Sequence, residues 1–171
     1  MFGVLAAIAV IPSAPVLVPE LAGAAAPELA DARAAIAAAV GTLPQRWIVI
    51  GVGRDAGVFG PATVGTFAGY GADIPVQLSP EASGPVAELP LCVLMAGWVR
   101  GRFASESHAE VRVYSDAVEA GEAAAIGRDL RSELDAATEA VGVLIVADGA
   151  HSFGARRDGT PSGSAADFTT F

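Results

Sequence analysis

The sequence predicts an α/β fold: a mostly parallel central sheet flanked by helices, forming one domain over residues 1–171. Three observations carry this. Residues 141–146 (VGVLIV) and 47–52 (WIVIGV) are short, nearly continuous apolar runs rich in β-branched residues, the pattern of strands buried on both faces of a parallel sheet. Helical periodicity occupies residues 27–40 and 117–140, between the predicted strands. No internal repeat or linker composition divides the chain.

The elements follow in order. Residues 2–11 (FGVLAAIAVI) read as the first core strand. A signal peptide would carry Lys or Arg before the apolar run, and none is there. Pro12 and Pro15 break the run well short of a membrane span and make Pro12-Ser13-Ala14-Pro15 a rigid loop. In residues 27–40, Leu29, Ala32, Ile36 and Val40 repeat at helical spacing, Glu28 and Asp31 favour the positive end of the dipole, and Gly41 stops the helix. Residues 47–52 form the second strand. Residues 58–79 are rich in Gly and Pro and read as irregular, with a short strand at 74–78; residues 80–88 read as loop. The apolar run 89–100 is ambiguous, since short apolar runs do not separate helix from buried strand; a helix or a mixed element is expected. Residues 110–114 alternate as a strand. Residues 117–140 form a long helix with Asp116 as its N-cap and Val118, Ala125, Ile126, Leu130 and Leu134 on its buried face. Residues 141–146 form the last strand.

Composition narrows the function classes. The net charge is −9, which opposes nucleic acid and anionic membrane surfaces as partners. All ten basic residues are Arg, so Schiff-base lysine chemistry and a phosphate-loop lysine are excluded. The single cysteine, Cys92, lies in an apolar run and reads as a buried structural residue; with no disulfide possible within the chain, a cytoplasmic setting is expected.

Candidate chemistry gathers at strand ends. Ligands of open α/β sheets collect outside the carboxyl ends of the strands. That places Asp148 and His151, just after residues 141–146, where a site is expected. A histidine beside a carboxylate can act as general acid or base near neutral pH; the plain alternative is a hydrogen-bonded loop histidine. The loop Gly51-Val52-Gly53-Arg54-Asp55-Ala56-Gly57 loosely matches a dinucleotide fingerprint, but no amphipathic helix follows, so it reads as a tight turn. The chain holds two histidines, His108 and His151, and His108 reads as exposed before a strand, which argues against both converging on one metal ion. No nucleophile elbow surrounds Ser13 or Ser152, and Arg156-Arg157 reads as a solvated turn.

Four stretches carry a family resemblance: residues 11–21 (IPSAPVLVPEL), 47–53, 65–71 (GTFAGYG) and 143–154. In these the chain resembles the LigB-like superfamily, which holds the catalytic subunits of class III extradiol ring-cleavage dioxygenases and the Memo-type proteins; the resemblance is to its actinobacterial, subunit-B-like branch. It implies a three-layer sandwich with the site at strand carboxyl ends, and a chain that continues beyond Phe171. It implies Fe(II) or another divalent metal, a catecholic substrate and O2 if the family activity is retained. His151 matches the family's late acid–base histidine. Ser13 stands at the position of the first iron-ligand histidine, and Gly53-Arg54-Asp55 at that of the second.

The expectation is therefore a dioxygenase-like protein without the usual iron ligands, and so without a cofactor. Its catalytic residues are Asp148 and His151, and Ser13, Arg54 and Asp55 contact a small, aromatic-class molecule. The alternative is a non-catalytic Memo-like binding or scaffold protein. Neither reading calls for nucleic acid or membrane, and a homo-oligomer fits both.

Overall fold

The apolar runs become neighbours in one sheet. The computed structural model describes residues 5–148. In chain order these form strand β1 (Leu5–Pro12), helices α1 (Pro19–Ala22) and α2 (Ala30–Val40), and strands β2 (Arg46–Gly53), β3 (Gly57–Phe59), β4 (Val64–Thr66), β5 (Pro75–Gln77) and β6 (Val86–Ala87). Helix α3 (Leu91–Phe103), strand β7 (His108–Ser115), helix α4 (Ala120–Ala136) and strand β8 (Val141–Ala147) complete them.

The main sheet has the order β1-β8-β2-β7-β3; its first four strands are parallel, and β3 adds an antiparallel edge. The mostly parallel α/β class predicted from the sequence is what the chain forms. Register aligns the carboxyl ends: Pro12 lies opposite Ala147, and Gly53 opposite Ser115. A second sheet, β5-β4-β6, is small.

Side chains alternate along each strand, so each face has its own core. Ala9, Ile11, Trp47, Val49, Val111, Val113, Leu144 and Val146 pack with Leu17, Val18, Ile36, Val40 and the buried residues of α3. Ile48, Val141 and Val143 pack on the other face against Leu134 of α4. Helix α3 contacts the main sheet and also β5, and is buried from Cys92 to Arg100. A helix enclosed between two sheets needs no polar stripe, which explains the unbroken apolar run at 89–100.

Several boundaries differ from expectation. The helix expected over 27–40 opens as a 3-10 turn, Pro27–Leu29, before α2. The helix expected over 117–140 is shorter at both ends. Its N-cap is Glu119 rather than Asp116: the N–H groups of Ala117 and Val118 turn back to Ser115, and the first helical bond runs from Ala123 N–H to the Glu119 carbonyl at 2.9 Å. It stops at Ala136, and Ala137 is already extended (φ −63°, ψ 144°) on the way into β8. The irregular segment carries β3, β4 and β5, and the strand expected at 74–78 is present as Pro75–Gln77. Strands 1 and 2 are not buried on both faces throughout. Helix α4 covers Ile48, Val141 and Val143, leaving Ile8 (57% exposed), Val10 (60%) and Val52 (46%) open. Residues 2–4 of the first expected strand lie outside the described residues. Among the described residues, no helix is long and apolar enough to cross a membrane.

Candidate functional site at the carboxyl edge of the sheet

Three segments meet at the carboxyl edge. The Ser13 N–H donates to the Ala147 carbonyl at 2.7 Å, so the chain leaves β1 and β8 side by side and Ser13 neighbours Asp148. The third segment is the first turn of α3. Pro90 is its N-cap, with its carbonyl accepting from Val93 (3.0 Å) and Leu94 (3.1 Å). Gly51 admits this turn: a β-carbon there would stand 2.6 Å from both Cβ and Sγ of Cys92. A glycine inside a strand marks such close approaches.

Electrostatics links the segments. Burial pushes the Cys92 thiol above its ordinary pKa, and the Asp148 carboxylate, the weakest of the influences on it, acts in the same direction. Asp148 is therefore within electrostatic reach of the α3 N-terminus, where unpaired N–H groups favour negative charge.

The expected site residues divide. Ser13 and Asp148 are brought together. Arg54 and Asp55 are exposed on the β2–β3 turn and, among the described residues, make no side-chain hydrogen bond or ion pair. Their turn is tied instead towards β7 through Gly53 and Asp116. It leads into strand β3 and not a helix, as expected of a tight turn rather than a dinucleotide loop. His151, Ser152, Arg156 and Arg157 lie outside the described residues.

His108 opens β7 at the opposite, amino edge, aligned with Arg46. It is exposed, as expected, and its Nε2 lies 2.9 Å from the Glu81 carboxylate. That carboxyl is held below its ordinary pKa first by a hydrogen bond from its own backbone, and also by His108.

Ser13 offers a hydroxyl and Gly53-Arg54-Asp55 a single exposed carboxylate where the resemblance places histidines. Among the described residues, no three His, Cys, Asp or Glu side chains are grouped to hold a metal ion. The described donor set does not fit a two-histidine iron centre.

Among the described residues, depressions of about 330 Å3 lie elsewhere too, one between α3 and β5 and another between the end of α4 and β2. Sequence reasoning missed the role of α3 at the edge, although Pro90 before an apolar run and Gly51 inside a strand were its signals. No protein-family model matches the chain, and comparison with curated proteins finds no relative.

Proposed function

We propose that the chain is a LigB-like protein that binds a small organic molecule at the carboxyl edge of its sheet, with Asp148 and His151 as its acid–base pair. One observation supports this reading: Ser13, Asp148 and the first turn of α3 converge at the ends of β1, β8 and β2, where open α/β sheets collect ligands. The Ser13 hydroxyl and the α3 turn offer hydrogen bonds to an oxygenated ligand. In this reading Asp148 and His151 share the acid–base work, with the imidazole as the group that moves the proton. The described donor set does not fit a two-histidine iron centre, so the chemistry in this reading rests on the chain's own side chains.

The scaffold reading is favoured by a different observation, the exposure of Ile8, Val10 and Val52 on one sheet face.

The experiment combines elemental analysis, with and without added ferrous iron, with a thermal-shift screen of catechols and other oxygenated aromatics. Wild type, Asp148→Asn and His151→Ala are compared. Ligand-dependent stabilisation that both variants lose, in folded protein, is the expected result. No stabilisation by any ligand overturns the binding reading and leaves the scaffold. Iron-dependent oxygen uptake with catechols replaces metal-free binding with ring cleavage.

A further inference from the structure

Arg100 is the buried charge among the described residues, at 4% exposure in the last turn of α3. Its Nε donates to the Gln77 carbonyl (2.8 Å), and its Nη1 to the carbonyls of Ser105 (2.5 Å) and Ser107 (3.3 Å). These are partial charges. No carboxylate among the described residues lies within 4.0 Å: the ion pairs there belong to His108, Arg112 and Arg131. A cation taken out of water without a counter-charge carries a desolvation cost that an anion would offset. Glu106 and Glu81 attract it from further away.

The third guanidinium nitrogen, Nη2, makes no hydrogen bond among the described residues. Arg100 also lines the depression of about 330 Å3 between α3 and β5, together with Gln77, Trp98, Gly101 and Arg102. Arg102 is exposed and makes no ion pair among the described residues. Gly101 leaves the space above it open, since a β-carbon there would meet nothing within 4 Å.

We propose that this depression is an oxyanion site that takes a single carboxylate or phosphate group between the Arg100 and Arg102 guanidiniums. Three carbonyls hold Arg100 in place, so it loses no further rotamer freedom when an anion arrives. Arg102 supplies the second charge and the reach to solvent. The net charge of −9 disfavours polyanions and leaves a small ligand as the occupant. At 1.5 Å rise per residue, Arg100 lies roughly 12 Å along α3 from Cys92. The site is thus separate from the carboxyl edge, and the proposal does not rest on the function proposed above.

The test uses Trp98: both tryptophans are buried in the core, but Trp98 lines the depression and Trp47 does not. The intact chain is titrated with inorganic phosphate and, separately, acetate, at ionic strength held constant with sodium chloride. The expected result is a saturable fluorescence change with an apparent Kd on the order of 1 mM, absent in Trp98→Phe. Arg102→Gln weakens it about three- to fivefold, and Gly101→Glu, which brings a carboxylate to the depression, abolishes it. Both substitutions are at exposed positions, so folding is retained and is checked by circular dichroism. A response to one anion only assigns the ligand class. No saturable response to either anion, or equal responses in wild type and Arg102→Gln, overturns the proposal.

Discussion

Gly51 and Cys92 touch across the join between β2 and α3, closely enough that a β-carbon on Gly51 would lie 2.6 Å from the Cys92 sulfur. The clash would involve both Cβ and Sγ of Cys92, so rotating the thiol away cannot relieve it. Gly51→Ala is therefore expected to destabilise the protein by about 1–3 kcal/mol through overpacking. Urea unfolding measures this. Cys92→Ala in the same chain removes the sulfur and should recover part of the loss, because residues in contact couple. Additive losses would place the strain elsewhere.

Arg112 joins β7 to α4 through a two-pronged pair with Glu133, both contacts at 2.6 Å. The Arg112 hydrogen bond is the leading cause that holds the Glu133 carboxyl below its ordinary pKa. A carboxyl whose pKa falls on folding stabilises the native state above its unfolded pKa and loses that contribution as pH falls through the folded value. Glu133 is about half exposed, so screening limits the effect to about 0.5–1 kcal/mol, and Glu110 remains on Arg112 in the variant. Urea unfolding of wild type and Glu133→Gln should differ by that amount at pH 7 and converge well below the glutamate range. A difference independent of pH would assign the effect to packing.

Strand β1 tests the register directly. Ile11 is 1% exposed and Val10 60% exposed, though they are adjacent and both apolar. Ile11→Ala should cost about 2–5 kcal/mol, and Val10→Ala within about 0.5 kcal/mol. Comparable losses would mean that the outer face of β1 is covered in solution.

That contrast shows how far the sequence could be read. Residues 47–52 and 141–146 announced buried strands because β-branched runs have few other uses, and they pair side by side with Ile50 opposite Ile145. Val10 and Val52 look the same in sequence as Ile11 and Val49; the pleat turns them to the opposite face of the sheet, which α4 covers only over Ile48, Val141 and Val143. Asp148 was legible as a strand-end residue, whereas its nearness to Cys92 was not, because 56 positions separate them and only the fold joins them. Arg100 was invisible for a related reason. In sequence it closes an apolar run like any solvated arginine, and its burial comes from the carbonyls of Gln77, Ser105 and Ser107.

Cys92, the single cysteine, turns the α3 end of the carboxyl edge into a reporter. The thiolate is the reactive form, and burial raises the thiol pKa, so the native chain is expected to resist alkylation near neutral pH. Reaction then requires α3 to lift from β2, and its rate should rise with urea in step with that opening. Asp148→Asn separates the two influences on the thiol. Burial is the leading one and the Asp148 charge the weakest, so the variant should label almost as slowly as wild type. Labelling many times faster in a folded variant would show that the carboxylate controls the thiol. Fast labelling of wild type without denaturant would mean that the first turn of α3 opens by itself, and the carboxyl-edge site with it.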